Sequence, residues 1–234
     1  MPTRKLVLRI SLVLLLLASL CAALIAYAGT VVFARVGTKS AASHSPSRPS
    51  EPLGHADPIL QFESHTCGLL ALSAAYEVHA LSPQSENLRY RLGVDRVADP
   101  TDQDSTGTLH PDLFRVLVQD HFAYRILDPR NEFDRGSFIG HLEEGGVSIL
   151  LIARRENGNL HWVLADEVHD RQLRVVDSLF EYPYREPIDD FMTNHVLSVV
   201  CITPAAAGAR ISEMQAHADG LMEMDRVRRR LSKP

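Results

Sequence analysis

The chain has 234 residues, 45% of them hydrophobic and 23% charged, with a formal charge of -5. This is the size of one medium domain with extensions, and an ordinary globular composition. The charge balance and the lack of a binding motif argue against nucleic acid as a partner. Three cysteines (Cys21, Cys67, Cys201) with no CxxC pair argue against a disulfide scaffold and a structural zinc site.

Arg4, Lys5 and Arg9 precede an uncharged run from Ile10 to Phe33, 24 residues long. That length spans a bilayer as a helix, and the basic residues ahead of it keep the N-terminus cytoplasmic and the rest exported. Ala26-Tyr27-Ala28 resembles a signal-peptide cleavage site. Apolar residues continue past it through Phe33, which favours an uncleaved membrane anchor over secretion. Residues 1–36 are thus an anchor or signal peptide. Residues 37–58, rich in Ser, Pro and Ala, read as a flexible linker. The folded domain is expected over 59–204 and a C-terminal helical tail over 205–234.

Within the domain, the stretch Gln61 to Tyr76 stands out. From Cys67 onward it is rich in Ala and Leu, with no Pro, and reads as a helix. Ser64 or Thr66 can cap it. Cys67 then lies in the first turn, where the helix dipole favours the nucleophilic thiolate. Gly68 leaves room for a substrate to approach. The alternative is a buried helix with an inert cysteine.

Ser82-Pro83 starts a short helix carrying Leu88 and Leu92, stopped by Gly93. Asp95 to Thr106 is a polar loop whose Asp99, Asp102 and Asp104 do not follow calcium-loop spacing. Thr108 caps a helix from Leu109 to Asp120. Phe122–Leu127 is a strand, Phe138–Glu144 a short helix ended by Gly145-Gly146, and Val147–Ala153 a central strand. Asn157-Gly158 turns the chain into a strand over 160–165. Asp170-Arg171 turns it again into a strand over 173–176, which ends at Asp177. Phe180 to Pro187 is a loop, 189–193 a helical turn, and 196–202 the last strand. Helices followed by an antiparallel meander is the order of an α+β domain. After Pro204 the chain is helical, and its run of Arg226, Arg228, Arg229 and Arg230 reads as a solvated face.

A thiol nucleophile needs a base, and the base an orienter. His161 starts one strand and Asp177 ends the next, so antiparallel pairing makes them neighbours. Asp177 would hold one ring nitrogen of His161 and leave the other facing Cys67. Gln61, six residues before Cys67, could donate to an oxyanion beside the Cys67 amide. His55, His79, His110, His121, His141, His169 and His195 read as surface residues. His65 and Cys67 could form a metal pair, but no second pair accompanies them, so neither metal nor cofactor is expected. Cys201, in an apolar strand, reads as core; a Cys67–Cys201 disulfide is the alternative in an oxidising compartment.

Gln61, Cys67-Gly68, His161-Trp162-Val163 and Asp177 together resemble the double-glycine leader (bacteriocin-processing) peptidases, which are papain-like cysteine peptidases. The resemblance covers about Ile59 to Thr203. It implies an α+β papain-like fold with N-terminal helices on an antiparallel sheet. It also implies a peptide substrate, with Cys67 as nucleophile, His161 as general base and acid, Asp177 as orienter and Gln61 as oxyanion donor. Thr66 and Ser178 depart from the Asp and Pro usual beside the Cys and the Asp. No transporter domain follows, so any export system is a separate chain, and a leader peptide is only one substrate in view. Two other readings remain: a non-catalytic peptide-binding or assembly module that keeps the peptidase fold, and a thiol acyltransferase.

Overall fold

The computed structural model describes residues 54–82, 87–96, 107–205 and 211–233. The apolar run 10–33, residues 37–53 of the linker, Pro83 and the three loop aspartates lie outside the described residues. Among the described residues, no helix is long and apolar enough to cross a membrane.

The elements run α1 (Cys67–Val78), α2 (Leu88–Arg91), α3 (His110–Gln119), β1 (Phe122–Leu127), α4 (Glu132–Glu143), β2 (Val147–Ala153) and β3 (Leu160–His169). Then follow β4 (Gln172–Val176), β5 (Tyr184–Pro187), α5 (Ile188–Asn194), β6 (Val196–Pro204) and α6 (Glu213–Leu231). The strands form one six-stranded sheet in the order β1-β6-β2-β3-β4-β5, antiparallel throughout. The class is α+β, with helices on an antiparallel sheet.

Both faces of the sheet are covered, and strand alternation explains how. In β2, Val147, Ile149 and Leu151 pack with Leu72 of α1 and Phe114 of α3. Leu150 and Ile152 pack on the other side with Phe138 of α4 and Phe191 of α5. A strand buried on two faces is apolar at nearly every position, which is why Val147–Ala153 reads as an apolar run interrupted only by the small, buried Ser148. Each fully buried side chain of this size contributes about 1.5–3 kcal/mol.

The C-terminal helix is part of this packing. Ser212 caps α6 by accepting from the Gln215 amide at 3.1 Å. Gly220 lies so close to Pro111 of α3 that a Cβ there would collide with the Pro111 backbone. Arg226 donates to the Leu197 carbonyl at 3.0 Å and pairs with Glu223. Arg230 donates to the same carbonyl at 2.7 Å. Only Arg228 and Arg229 of the basic run face solvent. The solvated-face reading therefore fails for Arg226 and Arg230, whose guanidinium groups satisfy main-chain carbonyls at the start of β6.

Four local expectations also change. Asn87, not Ser82, caps α2, accepting from the Tyr90 amide. Leu109, not Thr108, is the N-cap of α3, and no side chain caps it. Helix α4 begins six residues early, because the Asn131 side chain accepts from the Phe133 amide and fixes the start there. Tyr184–Pro187 is an edge strand on β4 rather than loop.

Packing against the sheet also extends ahead of Ile59. Ala56 is buried. Its N–H donates to Asp166 Oδ2 at 3.1 Å and its carbonyl accepts from Arg174 at 2.9 Å. Asp166 and Arg174 pair with each other. A single alanine is thus clamped by a buried ion pair from β3 and β4.

Candidate active site

Cys67 is the first residue of α1 and is buried. Thr66 is the N-cap, but its hydroxyl donates back to the Glu63 carbonyl at 2.9 Å rather than accepting from the helix. The expected cap from Thr66 is therefore not made. No Asp or Glu lies in the first turn. The first helical bond runs from the Leu70 amide to the Thr66 carbonyl, so the Cys67 amide belongs to the unpaired set every helix start carries.

Gly68 does not open the way to a substrate. A Cβ there would lie 2.5 Å from Thr108 Cβ and 3.0 Å from Trp162 Cδ1. The glycine lets α1 seat against Trp162 of β3, whose indole N–H donates to the Thr108 carbonyl at 3.0 Å. That contact sets the start of α1 over the start of β3, where His161 lies.

His161 and Asp177 meet as antiparallel pairing predicts. Leu164 pairs with Val176 across β3 and β4, so the start of one strand lies beside the end of the other. His161 Nε2 donates to Asp177 Oδ1 at 2.7 Å. The Cys67 side chain lies near enough to the same ring to act on its charge, and with Nε2 engaged by Asp177 the ring nitrogen that remains for a sulfur is Nδ1. Burial pushes His161 toward the neutral form, but the Asp177 bond and the Cys67 contact outweigh it and raise its pKa from 6.5 to about 9.

Asp177 is itself held. Its Oδ1 also accepts from the Leu179 amide at 2.9 Å, and its Oδ2 from the Tyr184 hydroxyl at 3.4 Å. Burial first, then the negative charge of Asp177, raises the Tyr184 pKa, so the phenol stays a donor. Nothing in the Tyr184 sequence context marks it; its role depends on the β4–β5 pairing.

Gln61 lies on the strap leading to α1. Its main-chain N–H donates to the Ser178 carbonyl at 2.8 Å, and its side-chain oxygen accepts from Ser178 Oγ at 2.9 Å. Its side-chain nitrogen donates to the Glu63 carbonyl at 2.6 Å. A carboxamide nitrogen carries two N–H groups, so one remains for another acceptor. Pro58, Ile59, Leu70, Trp162, Val176 and Ser178 line a small pocket next to this corner.

The other histidines divide. His110 is not a surface residue: it is 3% exposed, pairs with Ser198 Oγ at 3.1 Å and packs edge-on to Trp162. Burial lowers its pKa to about 4. Burial likewise lowers His79 to about 4 and lowers His141, so neither is a free surface group. His65 pairs with Asp95 at 3.4 Å. Among the described residues, no group of three His, Cys, Asp or Glu could hold a metal ion. Cys67 and Cys201 are both free thiols. Cys201 packs in the core on the opposite face of the sheet from the Cys67 cluster.

No family model and no curated protein matches the chain. Among solved structures, it is similar to the peptidase domain of Streptococcus ComA, a bifunctional ABC transporter involved in a quorum-sensing pathway. That match has 14% identity, a TM-score of 0.47, and covers 64% of this chain and 99% of that one. It is also similar to a double-glycine motif protease from an AMS/PCAT transporter in complex with the leader peptide. Here identity is 14% and the TM-score 0.46, covering 67% of this chain and 99% of that one. Both TM-scores lie below 0.5, and the functional reading rests on the site's own geometry.

Proposed function

We propose that this chain is a cysteine peptidase, held at a membrane by residues 10–33 and acting on the exported side on a peptide or leader bond. The observation that carries it is the buried group in which Asp177 bonds one nitrogen of His161 and the side chain of Cys67, at the start of a helix, acts on the same ring. A protonated imidazole in contact with sulfur is the counter-ion a thiolate needs.

In this reading Cys67 Sγ attacks the peptide carbonyl carbon. The oxyanion that forms takes hydrogen bonds from the Cys67 amide and from the N–H of Gln61 that Glu63 does not use. His161 gives its proton to the leaving amine as the C–N bond breaks, leaving a thioester on Cys67. His161 then takes a proton from water, water attacks the thioester, and the acid product leaves with the thiolate restored. Asp177 keeps the ring in register throughout and holds its positive charge.

The test is alkylation of the full chain by iodoacetamide at neutral pH, with modified sites mapped by mass spectrometry. Cys67 is expected to react faster than free cysteine and to lose that advantage in His161→Ala. Cys67 reacting no faster than free cysteine would sink the proposal.

A further inference from the structure

The residue after the orienting carboxylate is Ser178, at a position where the resembled family usually carries proline. Its side chain does something a proline cannot. Ser178 Oγ donates to Gln61 Oε1 at 2.9 Å, while the Ser178 carbonyl accepts the Gln61 main-chain N–H at 2.8 Å. The two residues thus bind each other at two points, across 117 positions of sequence.

Those bonds fix which way the Gln61 carboxamide faces. The Glu63 carbonyl can only accept, so the group 2.6 Å from it must be the amide nitrogen. The amide oxygen then faces Ser178, whose hydroxyl can donate to it. The Glu63 carbonyl also accepts the Thr66 N–H at 3.2 Å and the Thr66 hydroxyl at 2.9 Å, in the turn just before Cys67. Gln61 is therefore gripped at its oxygen by the segment that bears Asp177 and at its nitrogen by the segment that bears Cys67. Ser178 is buried, so its bond is shielded from competing water.

We infer that Ser178 is a positioning residue: its hydroxyl sets the orientation of the Gln61 carboxamide and so aims the free N–H of that amide at the reacting carbonyl. The inference rests on the peptidase reading above. It assigns Ser178 to oxyanion stabilisation and not to activation of the thiol, because the hydrogen bond its hydroxyl donates goes to Gln61.

The two functions separate experimentally. Acylation by 4-nitrophenyl acetate joins Cys67 Sγ to the acetyl carbon, breaks the ester C–O bond and releases 4-nitrophenolate, passing through an oxyanion. Displacement of iodide from iodoacetamide uses the same thiolate and forms no oxyanion. In the full chain, Ser178→Ala is expected to slow nitrophenolate release roughly tenfold, the scale of one buried hydrogen bond. Iodoacetamide alkylation of Cys67 should stay at the wild-type rate. Ser178→Thr, which keeps the hydroxyl, should restore acylation. Unchanged acylation in Ser178→Ala overturns the inference. So does an equal fall in both rates, which would mean a general structural role. Failure of the underlying reading looks different: wild type would then acylate no faster than Cys67→Ala.

Discussion

His161 and His110 are equally buried, 4% and 3% exposed, and burial pushes both toward the neutral form. Yet His161 rises to about 9 and His110 falls to about 4. The difference lies in what each ring touches. His161 has a carboxylate on one nitrogen and the side chain of Cys67 close enough to act on its charge. His110 has a serine hydroxyl and the edge of an indole, and the nearby charges of Glu223 and Arg226 act in opposite directions. A buried histidine next to neutral partners is a packing group, whereas one next to a held carboxylate keeps its charge. That contrast separates the His161 end of the sheet from the core beneath α3 and α6.

The largest test removes the carboxylate. Asp177→Asn is expected to cut acylation of Cys67 by 4-nitrophenyl acetate roughly 10³-fold or more, since the ring loses both its register and its counter-charge. Ser198→Ala, the matching change at His110, should leave that rate within about twofold. Similar rates in both variants would erase the distinction.

Titration sharpens the contrast next. His resonances followed by NMR should show His161 titrating near 9 and His110 near 4. Stability follows with opposite signs. His161 has a raised folded pKa, so its contribution is full below its unfolded value near 6.5 and is lost as pH rises through about 9. His110 has a lowered one, so its contribution is full above 6.5 and is lost as pH falls through about 4. Each is on the order of 3 kcal/mol. Denaturant unfolding across pH 3–10 should therefore show a loss on each flank, and in Asp177→Asn the alkaline loss should disappear. Its persistence there would detach the charge of His161 from Asp177.

A smaller effect is expected at Gly220, where α6 touches Pro111. Gly220→Ala must push the helix off α3 and should cost about 1–3 kcal/mol by chemical denaturation. Iodoacetamide labelling of Cys67 should be unaffected, since the damage falls in the His110 region. Smallest is Ser198→Ala, expected to cost about 1 kcal/mol of stability through the lost His110 bond.

What the sequence disclosed depended on whether the cause was local. β1 and β2 are legible residue for residue, because turns bracket each and burial on two faces makes β2 apolar at every position but Ser148. The pairing of His161 with Asp177 follows from two short hairpins in a row. Helix α4 is only half legible: Glu132 to Gly136 carries one apolar residue, Phe133, which is exposed, and a glycine, and a side-chain cap alone starts it. Strand β5 alternates in exposure only once β4 is beside it. The burial of His110, the clamp on Ala56 and the grip of Ser178 on Gln61 each join segments 88 to 118 positions apart, and no pattern within one segment announces them.

The clamp on Ala56 has a mechanical consequence. Any pull on the chain ahead of Gly54 meets the Asp166–Arg174 pair before it meets Gln61. The load passes there into β3 and β4, the two strands that carry His161 and lead to Asp177. Ala56 is thus a mooring point: tension from upstream passes into the two strands that hold His161 and lead to Asp177, and the four residues between Ala56 and Gln61 are spared it.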